Sequence, residues 1–383
     1  MNILVLSDGY PTESHRMSGL FAFDQAKALK KAGHNVVYGC VNLRSLRHKN
    51  YPGKSIHEKD GMTIYSINFP LGRVPVKIRK AISCRLFKIL FQEILDRGNK
   101  IDIVHAHFYD MAYCAAVNKK LFGYELIVTE HYSGYVKGDS SKQKELKKHY
   151  SKAYELADHV LAVSNNLAVQ LRDLYGIDVQ VVPNVVDTSL FNKVVGKRTI
   201  DKKVRFVSVG RLSPEKNMPL LIEAFAEAYQ TNHNMRLTIV GDGPQRKSLL
   251  EMVTDLGLEN QINLTGALPR ESIVEIMENA DCFILLSNYE TFGVAYIEAR
   301  AAGLPVIATK CGGPQDFMTP DMGLMIECRD KTAAIEAIQY MSIHHQDFSP
   351  ENMSRIVNQK YSPDSIAEHL RNVYIIGGCA DEY

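Results

Sequence analysis

At 383 residues, with 45% hydrophobic and 23% charged side chains, the chain has the mix of a folded globular protein and the length of two domains of roughly 180 residues each. A formal net charge of +2 argues against wholesale nucleic-acid binding. Seven cysteines without a CxxC pair fit the reduced thiols of a cytoplasmic protein, and no run approaches the roughly 20 apolar residues of a membrane-spanning helix.

The chain opens with a predicted strand, NILVLS, whose apolar run stops at Ser7 and Asp8 and so does not read as a signal peptide. A helical pattern from Leu20 to Ala32 ends at Gly33, and NVVYGCV follows as a second strand, completing a βαβ unit. Strand candidates MTIYSI, DIVHAH, ELIVTE and HVLAVS come next, spaced for crossover helices. Between Arg73 and Phe91, six Lys or Arg combine with Ile78, Ile82, Leu86, Ile89 and Leu90 at helical spacing. Such a basic amphipathic helix either lies on an anionic membrane or packs its apolar stripe on the sheet. A second basic helix is expected over Ser141 to Glu155. Strand signals lapse between Val185 and Lys203, then resume with VRFVSVG, RLTIVG, QINLTG, CFILLS and PVIAT. The pattern predicts two Rossmann-like, doubly wound parallel sheets, domains 1–190 and 191–361, facing a central cleft.

In open parallel sheets ligands bind beyond the carboxyl ends of the strands. In VGRLSPEKN, Gly210 and Arg211 fall at a strand end, Lys216 lies in the loop, and Pro219 opens the next helix. Two cations near a helix start suit a diphosphate, although a solvated basic loop would look the same. In NYETFGVAYIEARAAGLPV, Glu290 falls in a loop and Glu298 inside a helix that ends at Gly303. Each carboxylate can accept hydroxyl hydrogens from a different sugar, while Gly293 lets the backbone amides of Phe292, Gly293 and Val294 approach phosphate oxygens, with Thr291 beside them as a further donor-binding candidate. The plainer alternative makes Glu290 a charge at a helix start and Glu298 a surface residue. GDGP, with Gly241 and Gly243, and LTGAL, ending at Leu268, are turn-like. His105 and His107 share one strand face, and with His131 they invite a zinc reading that lacks a completing Cys or acidic residue.

The ordered set GRLSPEKN, GDGP, YETFGVAYIEARAAGLPVIAT and CGGP resembles the retaining glycosyltransferases of family 4, and GYPTESHRMSGLF, VHAHF, VTEH and VPNVVD extend the resemblance over nearly the whole chain. The resemblance implies the GT-B fold, an N-terminal acceptor-binding domain, a C-terminal donor-binding domain, and a last helix, 362–377, packed back on the first. It implies that Arg211 and Lys216 bind the donor diphosphate, Glu290 the donor sugar and Glu298 the ribose. By the same route Gly19 nears the diphosphate, His131 contacts the sugar close to the reacting carbon, and the loops at Gly210, Gly241, Gly243 and Leu268 frame base and phosphates. His107 is the acceptor-side candidate. The expected co-substrate is a nucleotide sugar, UDP-linked by preference, and no metal is expected, since no exposed DxD-like pair falls at a strand end. The expected acceptor is a glycan or a lipid-linked glycan of cell-surface polysaccharide biosynthesis. Residues 73–91 offer a peripheral contact with the inner face of the cell membrane, and nucleic acid is not an expected partner. Glu290→Ala or Lys216→Ala is expected to cut transfer sharply while leaving thermal stability nearly intact. Valine at Val185 and glutamine at Gln315 depart from the family pattern, the latter near the donor pocket. Two other classes fit the two-sheet pattern. A sugar-nucleotide-modifying enzyme using NAD would want a compact GxGxxG, which SDGYPTESHRMSG lacks. A non-catalytic glycan-assembly protein would not need Arg211, Lys216, Glu290 and Glu298 together.

Overall fold

A computed structural model describes residues 1–12, 15, 17–43, 52–192 and 203–377. Most of the polar stretch that marks the expected domain boundary, 193–202, lies outside the described residues. The chain forms two compact units, Met1–Val185 with Pro363–Tyr383, and Val186–Ser362, whereas the sequence pattern divides it at 190/191.

The first unit runs through β1 (Asn2–Ser7), α1 (Leu20–Lys31), β2 (Asn35–Asn42), β3 (Gly53–Lys59), β4 (Met62–Asn68), α2 (Val76–Asp96), β5 (Ile103–His107) and α3 (Phe108–Phe122). It continues with β6 (Glu125–Glu130), α4 (Ser140–Glu155), β7 (His159–Ala162), α5 (Asn165–Tyr175) and β8 (Gln180–Val181). Its sheet has the order β3-β4-β2-β1-β5-β6-β7-β8. All pairings are parallel except β3 with β4, so an antiparallel edge hairpin modifies the all-parallel expectation. Asp60 and Gly61, at φ 48° and 73°, make the two-residue turn that joins them. The mostly exposed edge segment GKSIHEK carries almost no apolar alternation and so escaped the sequence pattern, in which the Asp-Gly dipeptide of the turn is the one mark it leaves.

The second unit comprises α6 (Thr188–Phe191), β9 (Val204–Val209), α7 (Met218–Tyr229), β10 (Met235–Val240), α8 (Arg246–Asp255), β11 (Ile262–Gly266) and α9 (Arg270–Glu278). After these come β12 (Cys282–Leu285), α10 (Val294–Ala301), β13 (Val306–Thr309), β14 (Gly323–Ile326), α11 (Lys331–His344) and α12 (Pro350–Tyr361). The strands order as β11-β10-β9-β12-β13-β14 and all pair in parallel. Strands β12 and β13 are buried along their whole length, as expected of strands covered on both faces.

The last helix, α13 (Pro363–Gly377), belongs to the first unit. Its Ile366, Ala367, Leu370, Val373 and Tyr374 share one core with Ala22, Ala26 and Leu29 of α1. Each large apolar side chain so buried contributes about 2 kcal/mol, which holds the helix to this unit across a long excursion of the chain. Helix α2 packs Ser83, Phe87, Leu90, Phe91 and Ile94 inward. Of the stripe expected from sequence only Leu90 is fully buried, Ile82 and Leu86 are half-buried, and Ile78 and Ile89 stay exposed beside Arg73, Lys77, Arg85 and Lys88.

Candidate active site

Strand order fixes where each unit can bind a ligand. In the second sheet the order reverses between β9 and β12, and in the first between β1 and β5. Crevices open at the carboxyl ends of such strand pairs, because the following helices leave on opposite faces.

At the β9/β12 crevice the loops after β9 and β10 are pressed together by glycines. A Cβ on Gly241 would lie 1.8 Å from the Gly210 carbonyl oxygen, and one on Gly243 would lie 2.4 Å from that of Leu212. Hydrogen bonds stitch the contact: Leu212 N–H donates to Asp242 O (3.0 Å) and Gln245 N–H to Leu212 O (3.1 Å). Arg211 stands exposed on this platform. Lys216 lies just before Asn217, whose left-handed φ of 49° turns the chain into α7. Its Nζ is 2.5 Å from Glu290 Oε1, and Ser287 Oγ donates to the same oxygen at 2.8 Å. Both bonds fall on Oε1, and among the described residues no side-chain bond is made to Oε2. The loop holding Glu290 is itself fixed, because Glu290 N–H donates to Cys311 O (2.9 Å) and Gly313 N–H to Glu290 O (3.0 Å). Gly313 must be small, since a Cβ there would lie 2.4 Å from Phe292 Cα. Gly293, at φ 98°, caps α10 and directs the first amides of that helix toward the loop.

Glu298 lies one turn into α10 and is 8% exposed. Arg270, at the start of α9 just after half-buried Leu268, donates Nη2 (2.7 Å) and Nε (3.2 Å) to Glu298 Oε1. Both signature glutamates are thus ion-paired, which makes neither a simple surface charge. Arg270 and Ser287 escaped the sequence reading. Arg270 follows the turn-like LTGALP at a strand-to-helix junction, the same position in its βα unit that singled out Arg211.

At the β1/β5 crevice, Gly19 starts α1 at φ 59°, and a Cβ there would lie 2.0 Å from Gly9 O. Phe21, two residues on, stacks on His131 at 5.9 Å between ring centres. His107 Nδ1 is 2.9 Å from His131 Nε2, and the stack continues to His105, 4.8 Å from His107. His105 is satisfied by Tyr374 Oη and Thr129 Oγ1, both at 2.7 Å, as a structural histidine should be. His107 Nε2 and His131 Nδ1 have no hydrogen-bond partner among the described residues. Burial lowers the pKa of His131 to about 3 and that of His107 well below its ordinary value, so both rings are neutral at physiological pH. With one proton shared between the rings, one outer nitrogen carries hydrogen and the other a lone pair.

Glu130, beneath this pair, was not singled out from sequence. It is fully buried, accepts N–H bonds from His131 and Tyr132 at 2.8 Å, and accepts Tyr154 Oη at 2.6 Å. Tyr135 then bonds Tyr154 and Tyr175, each at 3.0 Å. Burial raises the Glu130 pKa from 4.5 to about 7, with the Tyr154 and backbone bonds opposing it. Between those values the native state keeps a proton that the unfolded chain has released, so stability falls as pH rises through this window, by up to about 3 kcal/mol, and is level above it. Glu130→Gln is expected to flatten this slope. Melting curves of both proteins across the window check it, and parallel pH dependences would refute the assignment.

Two doubly wound units whose cation–carboxylate pairs stand at strand ends have the architecture of the GT-B fold class. Anabaena HepE, solved in complex with UDP and glucose, superposes with a TM-score of 0.73 at 18% identity, covering 98% of this chain and 99% of that one. The family model Glycosyltransferase Family 4 matches residues 19–190, and Glycosyl transferases group 1 matches 192–371; the chain belongs to this family. N-acetyl-alpha-D-glucosaminyl L-malate synthase of Bacillus anthracis is 25% identical over 372 residues, 93% of each chain. A component of the phosphatidylinositol N-acetylglucosaminyltransferase of Arabidopsis thaliana is 28% identical over 287 residues, 73% of this chain, which spans 62% of that relative's length. Family membership supports a glycosyltransferase enzyme over the NAD-dependent alternative. No described helix is long and apolar enough to cross a membrane.

Proposed function

We propose that the chain transfers a sugar from a UDP-sugar to a hydroxyl of a glycan or lipid-linked acceptor in polysaccharide or glycoconjugate synthesis, with retention of configuration and without a divalent metal. The observation that carries it is the Lys216–Glu290 pair at the β9/β12 crevice, beside exposed Arg211. As the bond from the anomeric carbon to phosphate breaks, negative charge grows on the departing oxygen. Lys216, Arg211 and the amides of Phe292, Gly293 and Val294 stabilise that charge, so no cation need be recruited. Glu290 Oε2 accepts from donor-sugar hydroxyls, Glu298 from the ribose, and His131 contacts the sugar near the reacting carbon. The acceptor oxygen attacks on the face the phosphate leaves, and its proton passes to the phosphate oxygen. The relatives named for N-acetylglucosaminyl transfer and the UDP and glucose held by HepE support this donor class. The exposed cations of α2 and α4 support a contact with anionic membrane by charge, with Ile78 and Ile89 as its apolar part.

A screen of UDP- and GDP-sugars for hydrolysis and transfer tests the proposal. Turnover of one UDP-sugar with its anomeric configuration kept, undiminished by EDTA, is the expected result. Turnover of GDP-sugars alone, an inverted product or abolition by EDTA would each overturn the matching part.

A further inference from the structure

Helices α2 and α3 bring two cysteines together that the reaction does not use. Cys84 Sγ lies 3.4 Å from Cys114 Sγ, whereas a disulfide closes at about 2.05 Å. The two thiols differ in the way that directed oxidation requires. Cys84 is half-buried, and its pKa is lowered by the Cys114 contact and by Lys80 one turn earlier, against burial and Asp110. Cys114 is 1% exposed, and burial keeps its thiol protonated. A peroxide therefore meets Cys84 as the nucleophile, with Cys114 next to it as the resolving thiol.

We propose that Cys84 and Cys114 form an oxidative modification site, in which a peroxide converts the pair to a reversible disulfide joining α2 to α3. In the first step Cys84 thiolate attacks a peroxide oxygen, the O–O bond breaks, and hydroxide leaves as water after taking a proton; Cys84 becomes a sulfenic acid. Cys114 sulfur then attacks Cys84 sulfur, the S–O bond breaks, and the departing hydroxide takes the Cys114 proton. Two thiols and one hydrogen peroxide give one disulfide and two waters. The cross-link falls beside a polar cavity of about 270 Å³ at the end of β1, lined by Arg79 and Ser83 of α2, Asp110 and Met111 of α3, and Asp8 and Asn42. Oxidation fixes two of that cavity's walls relative to each other.

The test treats the full-length protein with hydrogen peroxide, blocks remaining thiols, and maps peptides without reduction. The expected result is a Cys84–Cys114 linked peptide, a mass loss of two hydrogens, reversal by dithiothreitol, and a higher melting temperature for the oxidised form. Cys114→Ser should instead accumulate a sulfenic acid at Cys84 that dimedone labels, and Cys84→Ser should give neither product. Both thiols still alkylated after treatment, or Cys84 oxidised in the wild type without linkage to Cys114, would overturn the proposal. None of these readouts depends on transferase activity, so they stand apart from the donor and acceptor assignments.

Discussion

Replacing Lys216 by alanine is expected to lower kcat/KM for the donor roughly 100- to 1,000-fold, the loss typical when one donor to a developing anion is removed. Sequence alone suggests that stability would be nearly unaffected. The structure revises this, because Lys216 and Glu290 side chains are 22% and 9% exposed and paired with each other. Without Lys216 the carboxylate keeps, among the described residues, only the Ser287 bond, and leaving it so little hydrated is expected to lower stability by about 1–3 kcal/mol. Arg211→Ala supplies the contrast. Its side chain is exposed on the glycine platform, so a comparable loss of turnover is expected with an unchanged melting temperature. Kinetics measured well below each variant's melting point separate the two effects. Wild-type kcat/KM in both variants would remove these cations from the reaction.

Gly241→Ala is expected to cost about 3 kcal/mol or more and to weaken donor binding together with it. The added Cβ would lie 1.8 Å from a backbone carbonyl oxygen, and Gly241 sits at φ 152°, where side chains are strained. Nothing flexible can yield, so the β9 and β10 loops must part, and the platform beneath Arg211 is lost. Gly257→Ala is a useful control: its φ of 65° is also left-handed, but an added Cβ meets nothing within 4 Å. It should show only the conformational part, about 1 kcal/mol. Denaturant melts of both variants check this, and equal losses would mean that the close approach contributes nothing.

The Rossmann-like pattern was legible because its strands are short apolar runs cut by turn residues. NILVLS and ELIVTE became β1 and β6 without change of boundary. The edge strand β3 and the brief β8 were not legible, since exposed or two-residue strands leave no periodic signal. Arg211, Lys216, Glu290 and Glu298 were visible because each falls at or just beyond a strand-to-helix junction. Their partners were less visible: Arg270 is 28 residues from Glu298, and Lys216 is 74 from Glu290. Glu130 reads as the last residue of an ordinary strand, and only the packing of Tyr135, Tyr154 and Tyr175 around it makes it a buried acid.

By itself the sequence determined the α/β class, the repeat of one architecture in two units, the family, and which loops carry cations and carboxylates. These follow from local periodicity and from glycines whose backbone no other residue can replace. Only the tertiary structure decided which cation holds which glutamate, which histidine is satisfied and which is left with a free nitrogen, and where the basic helix spends its apolar face. Those outcomes depend on strand order, which brings residues distant in sequence to one crevice and sets how much water each polar group keeps.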